Sequence, residues 1–221
     1  MSLLTFILDF DGTICDTRDA ISSSLVHAFE TAGIAKPDNS SVHHLIGTGK
    51  TLQETIHALH PAGGSLSDAD MAHWMKTYRT AYRQFGEEKV HLFATVMETL
   101  TLLKNHANLI LLSNKGMAAI EHSLERLSIK DHFDLVLGEE PDMPKKPEAA
   151  VYDVRILPRF PELSREHCIV VGDTEADLQF AKNIGAIGCW AAYGFGDHAN
   201  CEQLGYDHKL TKFSDLTRFI N

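Results

Sequence analysis

Short, continuous apolar runs alternate with amphipathic stretches over most of this 221-residue chain. The runs are LLTFIL at 3–8, NLILL at 108–112, FDLVL at 133–137, CIVV at 168–171 and AIGCWAA at 186–192. None shows the every-other-residue alternation of a half-exposed strand, so they read as strands covered on both faces of a parallel sheet. Between the later runs, VMETLTLLKNH, MAAIEHSLERLSI, EAAVYDVRIL and EADLQFAKNIG repeat leucine and alanine at helical spacing. Strand and helix in alternation predict an α/β fold, a Rossmann-like doubly wound parallel sheet.

One region breaks the rhythm. From 16 to 86 the chain reads as consecutive helices, DAISSSLVHAFETAG, SSVHHLI, KTLQETIHALH and DADMAHWMKTYRTAYRQFG, with no convincing strand. A single helix is expected between the first two strands, so this stretch is an insertion. It predicts a small all-helical cap domain at 16–86 on a core made of 1–15 and 87–221, with hinges near 13–17 and 86–91.

Three of the apolar runs end in polar side chains: ILDFDGT, LILLSNKG and CIVVGDTEAD. Ligands of open α/β sheets bind beyond the carboxyl ends of the strands, so Asp9, Asp11, Ser113, Asn114, Asp173 and Asp177 are expected at one rim. Asp9 and Asp11 stand at i and i+2, on the same side of an extended segment. Like charges held that close need a cation or a shared proton between them. Carboxylate and water are the ligands Mg²⁺ prefers, which makes Mg²⁺ the expected cofactor. Ser113, backbone amides and a nearby lysine remain to hold an anion. Lys146, directly before Pro147, is the better candidate and Lys145 the runner-up; an ammonium there would bridge a phosphate oxygen and a nucleophilic carboxylate.

Charge narrows the partners. The formal net charge is −10 with thirteen histidines counted as neutral, which argues against nucleic acid or an anionic membrane as the main partner. A small anionic substrate stays compatible, because a local group of cations overrides the global field. Cys15, Cys168, Cys189 and Cys201 are scattered without a CxxC pair and read as reduced thiols. The first apolar run reaches Asp9 too soon for a signal peptide or a membrane span. A cytoplasmic protein, monomer or homodimer, is the expectation.

With these motifs in order, the chain resembles the haloacid dehalogenase-like hydrolase superfamily, in its helical-cap subclass and close to phosphoglycolate phosphatases. DFDGT looks like its first motif, Ser113 in LLSN its second, Lys146 with its proline its third and GDTEAD its fourth. The resemblance implies a phosphatase acting on a small phosphorylated metabolite. Asp9 would be the nucleophile that forms an aspartyl-phosphate, and Asp11 the acid and base. Gly12, Thr13, Ser113, Asn114 and Lys146 would bind the phosphoryl group. Mg²⁺ would be held by Asp9, the Asp11 carbonyl and Asp173, with Asp177 orienting a water or a neighbour. Ala149 replaces a second proline usual in the third motif. Dehalogenases and phosphonatases of this fold generally lack the second aspartate, so Asp11 speaks against both, although phosphonatases need a cap lysine as a Schiff base and Lys50 keeps that alternative alive. A β-phosphoglucomutase-like phosphotransferase keeps both aspartates and is the alternative, and a phosphate-accepting module without turnover is a more distant one.

The stretch GTGKT at 47–51 tempts toward a nucleotide-binding loop, but the position that needs the first glycine is His44. It reads instead as a cap turn facing the site, with Thr48 and Lys50, and Arg18 near the first hinge, as candidate specificity residues. Trp74, Tyr78 and Tyr82 recur at helical spacing and read as cap packing, and YGFGD after the fifth run reads as a loop.

Overall fold

In the computed structural model, which describes residues 3–220, the apolar runs form five of the six strands of one sheet. Positions 1, 2 and 221 of the expected core lie outside the described residues. Along the chain the strands are β1 (Thr5–Leu8), β2 (Cys15–Asp16), β3 (His91–Leu92), β4 (Asn108–Gly116), β5 (Leu135–Glu139), β6 (Cys168–Gly172), β7 (Ile187–Ala191) and β8 (His208–Leu210). Six of them make the sheet in the order β5-β4-β1-β6-β7-β8, with every pairing parallel. Alternate residues feed opposite faces. Phe6, Leu8, Leu109, Leu111, Ile169 and Val171 join one apolar cluster, and Ile7, Ile110, Leu112, Cys168 and Val170 join the other. Burial on both faces is why these strands are apolar throughout.

The strand β8 has no counterpart in the sequence reading. Its three residues, with exposed Lys209 in the middle, are too short and polar to register as an apolar run. Pairing with β7 holds it, and buried Phe213 and Leu216 lie in the same apolar cluster as Leu210. The stretch EAAVYDVRIL also departs from a regular helix: it widens into a π-helical turn at Tyr152–Ile156, where the Leu157 amide donates to the carbonyl five residues back, Tyr152, at 2.9 Å.

Four helices separate β2 from β3: α1 (Arg18–Thr31), α2 (Asn39–Ile46), α3 (Leu52–Leu59) and α4 (Asp68–Ala81), the last continuing through a wide turn at Tyr82–Gly86. Phe29 of α1 meets Trp74 of α4 with ring centroids 4.8 Å apart, so these aromatics hold the helices together. Thr51 opens α3 with a reciprocal capping pair to Glu54, which fixes where the GTGKT turn ends. The two chain crossings are tied to each other, because β2 and β3 pair antiparallel. Behind them, buried Glu87 accepts from Ser123 Oγ at 2.7 Å and Arg126 Nε at 3.5 Å, while Arg126 donates to the Val90 carbonyl at 2.6 Å. Ser123 and Arg126 belong to α6 (Met117–Arg126), which follows α5 (Val96–Lys104); α7 (Glu175–Ile184) and α8 (His198–Leu204) lie on either side of β7 in the chain. Among the described residues no helix is long and apolar enough to cross a membrane.

Candidate active site

The sheet order reverses around β1: the chain fills β4 and β5 on one side, then returns to β6 on the other. Leu8 is level with Leu111 of β4 and Val171 of β6, so the next residues of all three strands emerge side by side. The Asp9 amide donates to the Val171 carbonyl at 2.9 Å and keeps Asp9 in line with the strand. Asp9, Asp11, Ser113 and Lys146 all line one cavity of about 1150 Å³ between the sheet rim and the helical segment.

Lys146 is buried and donates to Asp9 Oδ1 at 2.6 Å and to Asp177 Oδ1 at 2.5 Å. Lys145 turns the other way, to Glu54 of α3 at 3.5 Å. Asp173 is 0 % exposed and, among the described residues, has no cation beside it; it accepts from Thr13 Oγ1 at 3.1 Å and the Phe195 amide at 2.7 Å. One carboxylate oxygen from each of Asp9, Asp173 and Asp177 falls within 4.8 Å of the others. Three buried carboxylates against one ammonium leave a charge excess of about two, which a hard divalent cation would balance. Burial pushes the Asp9 carboxyl up to about 7 despite the opposing pull of Lys146. Burial, then Asp9 and Asp177, push Asp173 well above the usual carboxylate range. Burial works against the Lys146 ammonium, but Asp177 and Asp9 outweigh it and raise its pKa. A donor set of this kind fits Mg²⁺.

Several expected roles change in the structure. Gly12 has φ +80°, and its amide donates to the Cys15 carbonyl at 2.8 Å rather than toward the cavity. A Cβ on Gly12 would stand 2.2 Å from Asp173 Oδ2, so glycine is needed there to admit Asp173. The Thr13 hydroxyl is likewise spent on Asp173. Asn114 also lines the cavity, but its side-chain amide is engaged by the backbone: its Nδ2 donates to the Gly49 and Lys146 carbonyls at 3.0 Å each, and its Oδ1 accepts from the Lys146 amide at 3.1 Å. Both Asp177 oxygens are occupied, one by Lys146 and the other by the Thr174 amide and hydroxyl at 3.1 and 2.7 Å, so it anchors the lysine. The Asp11 carboxylate is outside the acidic cluster and pairs with Lys115 Nζ at 3.0 Å instead. Arg18 stacks on Phe195 at 4.6 Å beside a separate cavity of about 190 Å³ and does not line the main one. Thr48 caps its own turn by donating to the Leu45 carbonyl at 2.7 Å, whereas exposed Lys50 does line the main cavity.

Two groups at the site were not foreseen. The YGFGD loop clamps Asp173: Phe195 supplies an amide, and a Cβ on Gly194 or Gly196 would lie 2.3 or 1.9 Å from Asp173 atoms. Glycines just past a strand at the rim are the signal that was available. Lys115 is the other: its Nζ lies 3.0 Å from Asp11 Oδ1 and 3.0 Å from the Tyr82 hydroxyl. Burial works against this ammonium, but Asp11 and the tyrosines hold its pKa well above the ordinary lysine value.

The helical segment is seated on the core through the GTGKT turn. Gly49 has φ +66°, and a Cβ there would stand 2.5 Å from Thr174 Oγ1. Gly49→Ala therefore strains the backbone and lifts the turn off the core; a fall in kcat/KM of about tenfold is expected in steady-state assays of the variant.

Residues 6–191 match the haloacid dehalogenase-like hydrolase family. The chain belongs to this family. As a haloacid dehalogenase-like hydrolase it is an enzyme of the phosphoric monoester hydrolase type. It is 28% identical over 192 residues to a 5'-nucleotidase of Pseudomonas aeruginosa, covering 86% of this chain and 83% of that protein. It is 24% identical to the pyrophosphatase PpaX of Bacillus thuringiensis over 224 residues, 100% of this chain and 98% of the relative. Its fold matches that of a predicted phosphoglycolate phosphatase from Haemophilus somnus with a TM-score of 0.85 at 20% identity, over 99% of this chain and 97% of the other.

Proposed function

We propose that this hydrolase is a Mg²⁺-dependent phosphatase that cleaves a small phosphomonoester through an aspartyl-phosphate on Asp9. The observation that carries the reading is the buried Lys146 ammonium 2.6 Å from Asp9 in the lining of a large cavity. Asp9 forms a bond to phosphorus while the bond to the leaving oxygen breaks, and Asp11 gives that oxygen a proton. Water then attacks the phosphoryl group, Asp11 takes its proton, and Asp9 is released with inorganic phosphate. Lys146 and the Ser113 hydroxyl hold the phosphoryl oxygens, and Asp177 keeps the lysine in place. Asp9, Asp173 and the Asp11 carbonyl would hold Mg²⁺, which would supply positive charge beside the anionic nucleophile and phosphoryl group. The helices of 16–86 act as a cap that keeps bulk water from the intermediate, with Lys50 facing the leaving group.

A cavity of about 1150 Å³ holds leaving groups much larger than glycolate. Nucleoside monophosphates and sugar phosphates therefore belong in the test beside phosphoglycolate. Release of inorganic phosphate from such a panel is expected with Mg²⁺ and is abolished by EDTA. A hexose 1-phosphate with a bisphosphate activator should yield phosphate and not the 6-phosphate isomer. Turnover that persists in EDTA overturns the reading.

A further inference from the structure

β4 does not run straight past the site. Its register with β5 shifts between Leu112 and Gly116, so Ser113, Asn114 and Lys115 together stand opposite Gly138. A bulge of this kind re-aims side chains at the rim of a sheet. It turns Lys115 inward, leaving its side chain 9% exposed. Burying an ammonium is costly unless its donors are matched. Here they are: Asp11 Oδ1 lies at 3.0 Å, Asp11 Oδ2 at 3.4 Å and the Tyr82 hydroxyl oxygen at 3.0 Å. The Nζ also sits 4.4 Å from the centroid of the Tyr82 ring. Asp11 belongs to the core loop after β1, whereas Tyr82 ends α4 of the helical segment. Lys115 is thus one side chain held jointly by the cap and by the carboxylate that handles the proton. Residue 114 repeats the pattern on the other side of the bulge, where Asn114 joins the Gly49 carbonyl to the Lys146 backbone.

We infer that Lys115 and Tyr82 are a positioning pair that aims the Asp11 carboxylate only while the cap is seated. Neither touches the phosphoryl group; they act through Asp11. With the cap lifted, Tyr82 leaves, Lys115 loses one of its three partners, and Asp11 is released from a fixed direction. Proton handling is thereby confined to the closed site, where bulk water is excluded. This inference rests on Asp11 being the acid and base of the proposed reaction.

The test is a double-mutant cycle, measured on an alkyl phosphomonoester with Mg²⁺. Lys115→Met is expected to lower kcat about 30-fold and Tyr82→Phe about fivefold, with KM changed by less than about threefold. Lys115→Arg, which keeps a cation, recovers part of the loss. In an Asp11→Asn background the same two changes should each cost less than about twofold more, because the group they aim is gone. Losses that multiply fully in that background, or that fall on KM alone, overturn the inference. Tyr82→Phe removes one oxygen and keeps the ring, so it reads the pair even where Lys115→Met folds poorly. If Asp11→Asn itself leaves kcat intact, the assignment of Asp11 fails instead, and the two failures are told apart.

Discussion

Asp9→Asn should lower kcat by about 10⁴-fold or more while the protein stays folded, because an amide cannot form the phosphoryl bond that the carboxylate makes. Lys146 keeps its 2.5 Å partner Asp177, so the substitution leaves no unpaired cation. Stability gives an independent check in the metal-free protein. Burial raises the Asp9 carboxyl from its ordinary 3.8 to about 7 against the pull of Lys146. A group that binds its proton more tightly when folded favours the fold below about pH 4 and loses that contribution as pH rises through about 7. The variant lacks this slope. Thermal unfolding without metal should therefore show Asp9→Asn gaining on the parent between pH 4 and 7, with the gain largest above 7. A parent that is instead favoured more as pH rises through this window would mean that Asp9 is held as a carboxylate without any metal.

The runs at 3–8, 108–112 and 168–171 were legible as strands because both faces of the sheet are buried, and burial leaves an unbroken apolar signature. Asp9, Ser113 and Asp173 were legible because each stands where such a run stops. What stayed hidden depends on partners distant in sequence. Gly12 and Thr13 look like loop residues of a phosphate cradle, and only the approach of Asp173 from 160 positions away shows where the Thr13 hydroxyl goes. Nothing in the sequence singles out Lys115, since the bulge that turns it inward is set by pairing with β5. Tyr82 keeps step with Trp74 and Tyr78, and its ring does pack beside Tyr78 with centroids 5.9 Å apart, so helical spacing alone hides its hydroxyl's contact with Lys115. Arg18 shows the reverse error. Proximity to a hinge in sequence suggested the substrate, but the side chain folds onto Phe195 instead.

Asp173→Asn should remove the protein's response to Mg²⁺. Of the three clustered carboxylates, Asp9 and Asp177 already share Lys146, whereas Asp173 has only neutral donors, the Thr13 hydroxyl and the Phe195 amide. Its charge is the one left without compensation, and a divalent cation gains most there. Glycines at 12, 194 and 196 let two backbone segments, the loop after β1 and the YGFGD loop, close around it, so the carboxylate is held in place before any metal arrives. For the parent, Mg²⁺ at about 100 times its Kd adds about 2.7 kcal/mol, or about 5–10 °C in Tm for a chain this long. The variant is expected to lose most of that rise and to fall about 10²-fold or more in kcat/KM at the same Mg²⁺ concentration. Without metal the order inverts. The Asp173 carboxyl is pushed well above its ordinary range by burial and by Asp9 and Asp177, so its contribution to folding is lost as pH rises, and the neutral amide avoids that loss. Melting curves of parent and variant at pH 8, with Mg²⁺ and with EDTA, should therefore cross in rank. A variant that still gains the full Mg²⁺ increment would place the cation on carboxylates other than Asp173.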